Sequence, residues 1–354
     1  MKTLLLFLML STGLASSAVA ADKNSDNETL RQYADQLGFR VASKVRARNW
    51  EEDAEGRRIL AREFNGTIVM AMMHTVENQP GRFNFRTMDR VIEFAKDHKM
   101  KIWGSALIYR KDSLPAWMQD RPKRQWNPRE LDDIMKKHIQ TVVRHGGDAF
   151  YAWGVVNEPN NRNEPWESAF GKEEYISKAF RYAREATSVP LVLNESFGLD
   201  GVNRAKTDDF FALIKRLKSR GVPIDGAGIE MHLEAQQLRT SYLQEFRYWL
   251  DQARDAGVQV YITEMDVYQG PAGAVPDAFE NQKKIYHDVT AACLADSNCK
   301  ALNIWDLVDR DTWLVDKKHN PRADAKPLLF DDNYQKKPAY YGVLQALKEA
   351  AAKH

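Results

Sequence analysis

Eight short runs dense in apolar residues punctuate the chain. They are FRVASKV (39–45), GTIVMAM (66–72), KIWGSALIY (101–109), FYAWGVVN (150–157), PLVLN (190–194), DGAGIEMHL (225–233), VQVYITEMDV (258–267) and KALNIWDL (300–307). Between them lie longer stretches such as FNFRTMDRVIEFAKDHKM (83–100), ELDDIMKKHIQTVVRHGG (130–147) and DDFFALIKRLKSRG (208–221). These carry apolar residues three and four apart, and several stop at a glycine, which predicts helices. Alternating strands and helices predict an α/β fold, and eight such units predict a single closed (β/α)8 TIM barrel. The competing architecture, a doubly wound open sheet, usually carries a Gly-rich phosphate turn after an early strand, and none is present. No repeat, low-complexity tract or Gly/Ser linker follows residue 30. The barrel is therefore expected over 39–350, with 21–38 as a lead-in segment.

The first twenty residues, MKTLLLFLMLSTGLASSAVA, belong to neither. A lysine at position 2, an apolar run from Leu4 to Leu10 and the Ala18-Val19-Ala20 triplet predict a secretory signal peptide with an A-x-A cleavage site. A transmembrane anchor would need a longer apolar run. The mature chain is thus expected to be secreted or periplasmic, with no membrane insertion once the signal is removed.

Composition narrows the classes further. The net charge is +2, with acids and bases interspersed, which argues against a dedicated nucleic-acid binder. The basic run Arg121-Pro-Lys-Arg124 reads as a solvated loop. Cys293 and Cys299 are the two cysteines, and export favours a short-range disulfide between them. The alternative, a two-ligand metal site, has no histidine nearby.

Catalytic groups of such a barrel stand at the carboxyl ends of its strands. There the sequence places Tyr109-Arg110 after strand three, Asn157-Glu158 after strand four, and Glu230 and His232 on strand six. Strand seven brings Glu264, followed by Asp266, and strand eight ends in Trp305-Asp306. Taken singly, a glutamate after a strand is ordinarily a loop or helix-start residue, and a lone histidine an ordinary core group. Two glutamates ending strands four and seven face each other across a barrel mouth. That pair suits a retaining glycosidase, which needs a proton donor and a carboxylate nucleophile about 5–5.5 Å apart. Asn157 is positioned to bond a sugar 2-hydroxyl, and Trp305 and Trp313 offer flat walls for sugar rings. Asp306, Asp309 and Asp311 fit no metal-binding loop spacing.

At these residues the chain resembles glycoside hydrolase family 10, the endo-β-1,4-xylanase family of retaining barrel hydrolases. The segments REFN (62–65), PGRFNF (80–85), WGVVNE (153–158), YISKAFRYAREA (175–186), GVPIDGAGIEMHL (221–233), ITEMDV (262–267) and PLLFDDNYQKKPAYYGV (327–343) carry it. So does CLADSNCKALNIWDLVDRDTWL, disulfide included. The resemblance implies Glu158 as acid/base, Glu264 as nucleophile, Asn157 as a 2-hydroxyl contact and His232 as a partner near the nucleophile. Trp305 and Trp313 would line the sugar site. It implies no metal and no organic cofactor.

The departures concern substrate. Where the family carries E-N-x-M-K-W after its second strand, this chain reads IVMAMM (68–73), without the polar groups that hold sugars on the non-reducing side. G-H-T-L-V-W-H on strand three has become GSALIYR (104–110), so Ser105 replaces a sugar-binding histidine and Tyr109-Arg110 replace Trp-His. Glu230 stands where a glutamine is usual. The expectation is a monomeric exported retaining β-glycoside hydrolase, acting on a polysaccharide or oligosaccharide other than plain xylan. Arg110 would either pair with Glu230 or face an acidic substituent. Two alternatives stay open: an endo-β-1,4-xylanase with altered subsites, and a catalytically silent glycan-binding protein on a hydrolase scaffold.

Overall fold

The computed structural model describes residues 28–46, 50–119, 126–197, 202–239, 241–271, 273–315, 322 and 324–353. The first twenty residues, read above as a signal peptide, and the basic run 121–124 lie outside them. Eight strands form a closed parallel barrel in chain order: β1 (Arg40–Ser43), β2 (Gly66–Met70), β3 (Lys101–Ser105), β4 (Phe150–Asn157), β5 (Leu191–Ser196), β6 (Gly226–Glu234), β7 (Gln259–Tyr268) and β8 (Cys299–Ile304). Helices lie between successive strands, as the alternating pattern predicts. The β4 run is buried almost throughout, because parallel strands in this architecture are covered on both faces. Inside the barrel, Ala42, Ile68, Trp103, Ala152, Val192, Tyr261 and Ala301 form one packed layer that closes the floor beneath the mouth.

Element ends move by a few residues, for local reasons. The helix read from Glu130 begins at Pro128, because Asn127 caps it: its Oδ1 accepts from Arg129 N at 2.9 Å, and proline suits the first helical position. The helix read from Asp208 begins at Arg204, where Asn203 Oδ1 accepts from Lys206 N at 3.0 Å. The run 101–109 leaves the ladder after Ser105, at a cis Ser105–Ala106 peptide. It still hugs β4, since Leu107 N and Ile108 N donate to Gly154 O and Val155 O at 3.0 and 2.9 Å. Tyr109 and Arg110 are thereby held over the end of β4.

Two register shifts position the chemistry. Between β6 and β7, Ile229 pairs with Ile262 but Glu230 pairs with Glu264, so Thr263 is an extra residue on β7. A bulge of this kind re-aims the side chains that follow it, and here it sets Glu264 beside Glu230. Between β4 and β5, Gly154 pairs with Val192 and Val156 with Leu193, which brings Asn157 level with Asn194.

The expected disulfide is formed. Cys293 and Cys299 are joined with Cα atoms 5.3 Å apart, tying the helix Ala278–Leu294 to the first residue of β8. Its loop is short, with a sequence separation of six. The denatured-state entropy it removes corresponds to about 2 kcal/mol. The double variant Cys293→Ser/Cys299→Ser is expected to lose about that much stability in urea denaturation. Catalysis should be unaffected, because the bridge lies where β8 begins, at the opposite end of the barrel from the mouth.

Candidate active site

The mouth of the barrel encloses a cavity of about 550 Å³ lined by residues of β2 to β7 and by segments that follow the strands, that after β8 included. Ser105, Tyr109, Arg110, Asn157, Glu158, Glu230, His232, Glu264, Trp305 and Trp313 all line it, so every site residue expected from the sequence reaches one space. Met70 and Met72 form part of the same wall.

Glu158 sits where β4 turns into its loop, at a left-handed φ of +47°. Its Oε2 accepts from Asn161 Nδ2 at 2.6 Å and from Arg110 Nη1 at 3.2 Å. Arg110 is therefore the partner of Glu158, and the Arg110–Glu230 pair allowed by the sequence is not formed. The guanidinium also lies 4.9 Å from the centre of the Tyr109 ring. Burial, together with the charges of Glu158 and Glu230, pushes the Tyr109 hydroxyl far above its ordinary range.

Glu230 is gripped differently. Its Oε1 accepts from Asn157 Nδ2 at 3.1 Å and from Asn194 Nδ2 at 3.0 Å. Asn194 also donates to Asn157 Oδ1 at 2.6 Å and accepts from Thr263 Oγ1 at 2.7 Å. Gly228 makes room for this network, since a Cβ there would come within 2.3 Å of Asn194 Oδ1. The bulge residue Thr263 thus helps to orient the amides that hold Glu230.

Glu264 is oriented by His232. The imidazole Nε2 lies 3.4 Å from Glu264 Oε2, while Nδ1 lies 3.0 Å from Asp266 Oδ1. Trp313 Nε1 donates to Asp266 Oδ2 at 2.7 Å, and its ring lies 5.0 Å from the imidazole. Burial alone would lower the His232 pKa, but Asp266 and Glu264 outweigh it and hold it well above the usual histidine range. For Glu264, burial pushes the pKa up, His232 and Lys44 pull it back, and the charge of Glu158 raises it.

Lys44, Asn161 and Asn194 complete the site, and the sequence marks them only weakly. Lys44 Nζ lies 3.5 Å from the centre of the Trp305 ring and 3.1 Å from Asp306 Oδ1, with Arg46 on the other oxygen at 3.2 Å. Burial lowers the Lys44 pKa, against the attraction of Asp306 and Glu264. A lysine inside the apolar run FRVASKV and an asparagine closing PLVLN were the available signals. The three aspartates after β8 do not converge. Asp306 belongs to Lys44 and Arg46, whereas Asp309 pairs with Lys337 at 2.8 Å and is pushed by burial up to about 6.

The matching family model, Glycosyl hydrolase family 10, covers residues 29–346. The chain belongs to glycosyl hydrolase family 10. Endo-1,4-beta-xylanase B of Thermotoga neapolitana is 29% identical over 99% of both chains. Endo-1,4-beta-xylanase A of Humicola insolens is 32% identical over 77% of this chain and 70% of the relative. The crystal structure of native xylanase 10B from Thermotoga maritima superposes with a TM-score of 0.82 at 30% identity, covering 92% of this chain and all of that one. As a family 10 member the chain is a retaining glycoside hydrolase. Among the described residues, no helix is long and apolar enough to cross a membrane.

Proposed function

We propose that this family 10 hydrolase is exported, works as a monomeric barrel and cleaves a β-glycan other than unsubstituted xylan, with Glu158 as acid/base and Glu264 as nucleophile. In the first step Glu264 attacks the anomeric carbon as Glu158 gives its proton to the departing glycosidic oxygen. In the second step Glu158 takes a proton from water, which attacks the same carbon and releases Glu264. Two carboxylates on strands three positions apart line one cavity, one gripped by Arg110 and Asn161 and the other by His232. That arrangement carries the assignment.

The substrate reading rests on the wall formed at the ends of β2 and β3. Met70 and Met72 stand where a hydroxyl-binding site would carry polar groups, and Ser105 is too short to replace an imidazole. A site that has lost such donors discriminates against the corresponding sugar by orders of magnitude in kcat/KM. Arg110 is half exposed to the cavity, so its guanidinium is available to an acidic substituent as well as to Glu158.

The names of the relatives favour a second reading, an endo-β-1,4-xylanase with altered subsites. Hydrolysis of a panel of plain xylan, uronic-acid-substituted xylan and acidic bacterial polysaccharides separates the two, with Glu264→Ala as the blank. We expect kcat/KM on a substituted or acidic glycan to exceed that on plain xylan by about tenfold or more. Plain xylan as the best substrate would overturn the substrate reading. Silence across the panel, with no labelling of Glu264 by gluco-, xylo- or galacto-configured 2-fluoroglycosides, would instead favour a glycan binder.

A further inference from the structure

We propose that Glu230 is a positioning residue that works as a neutral carboxylic acid, presenting an O–H beside Glu264 so that the nucleophile is the only anion sharing the outer nitrogen of His232. The inference rests on the assignment of Glu264 as nucleophile and adds a residue to that mechanism.

The geometry leads there by counting protons. The Thr263 bulge sets Glu230 and Glu264 at paired positions on neighbouring strands, both buried. One polar atom each of Glu230, His232 and Glu264 lies within 4.8 Å of the others. His232 spends Nδ1 on Asp266, which leaves the single Nε2–H for two carboxylates. It lies nearer Glu264, at 3.4 Å, than Glu230, at 3.7 Å. Two unprotonated carboxylates this close in a buried site repel strongly, and one of them takes up a proton.

The neighbours decide which one. Glu264 is also attracted by Lys44. Around Glu230, β4 contributes Asn157 and Glu158, β5 contributes Asn194 and Ser196, β6 His232, β7 Glu264, and the segment after β3 the Tyr109 hydroxyl. Among these His232 alone is cationic, while Glu264 is anionic as the nucleophile and Glu158 becomes anionic once it has given up its proton. Oε1 already accepts two amide N–H groups, so Oε2 is the oxygen to carry the proton, and the Ser196 hydroxyl that also bonds this carboxyl can accept as well as donate. In agreement, burial and then the charges of Glu264 and Glu158 raise the Glu230 pKa well above the carboxylate range.

A glutamine imitates a protonated glutamate: its oxygen accepts the two amides and its N–H2 donates where the O–H stood. Three variants of the full chain test the proposal. In infrared difference spectra at neutral pH, Glu230→Gln should remove one carboxylic-acid carbonyl band that persists in a Glu158→Gln background. In the kcat/KM profile, Glu230→Gln should cost less than about tenfold at the optimum and should make the alkaline fall shallower or later, because one ionising group is gone. Glu230→Ala should lose about 10²-fold or more at every pH, since two buried amides lose their acceptor. An unchanged band together with an unchanged alkaline limb would overturn the proposal. So would equal losses in the glutamine and alanine variants. Fluoroglycoside labelling of the wild type is run alongside: adduct on a residue other than Glu264 points to the nucleophile assignment, whereas normal labelling with an unchanged Glu230→Gln profile points to Glu230.

Discussion

Replacing Glu264 with alanine is expected to abolish turnover, lowering kcat by about 10⁴-fold or more. No neighbouring side chain can take over the attack. Glu230 sits at the paired position, but its Oε1 is committed to Asn157 and Asn194 and its environment favours the uncharged form. Asp266 is turned away toward His232 Nδ1 and the Trp313 indole. The loss will be catalytic rather than structural, because the buried cations keep an ion-pair partner: Asp266 still pairs with His232, and Asp306 still lies against Lys44 and Arg46. Two measurements check it. Circular dichroism and the urea midpoint should show a folded barrel, and initial rates on the best glycan of the panel should fall to the background of the assay. A 2-fluoroglycoside should add one sugar to the wild-type peptide containing Glu264 and none to the variant. Activity within tenfold of wild type would sink the nucleophile assignment.

The barrel itself was legible because its signal is redundant. Eight apolar runs, each too short for a helix, alternate with 3.6-period segments, and errors of a few residues at the ends leave the count unchanged. Site residues at strand ends were legible for the same reason: β4 runs unbroken to Asn157, so Glu158 had to emerge at the mouth. What could not be read is registration. Nothing in VYITEMDV announces that Thr263 is an extra residue, yet without that bulge Glu264 would not stand opposite Glu230. The partner of Arg110 was undecidable on similar grounds. Residues 106–109 leave the β3 ladder and follow β4 instead, which carries Arg110 to Glu158. Lys44 was hidden because a charged residue in an apolar run is ordinarily a solvated strand end. It is buried here only because Asp306 and the Trp305 face come from β8, the strand that closes the barrel against β1. Contacts between the first and last strands leave no local mark in a sequence.

For Glu158 the decisive prediction is a dependence on leaving group rather than a uniform loss. A glycan expels a poorly acidic sugar alkoxide that must be protonated as the bond breaks, so Glu158→Ala should lower kcat/KM on it by about 10²–10⁴-fold. An aryl glycoside with an acidic phenol departs without that help, and its first step should be slowed far less. The second step still lacks its base, so the glycosyl-enzyme should accumulate and appear as a burst of phenol followed by a slow steady state. Azide, which needs no deprotonation, should then relieve the block. Its product should keep the anomeric configuration of the substrate, since it attacks the face that water would use. The left-handed φ of +47° strains glutamate, alanine and glutamine alike, so the variants differ only in their side-chain contacts. Glu158→Gln, which retains the side-chain length that meets Arg110 and Asn161, therefore serves as the second variant. Both should show the same split between substrates, with the glutamine form the more stable. Equal losses on glycan and aryl glycoside, with no azide product, would mean that Glu158 anchors Arg110 and Asn161 rather than moving a proton.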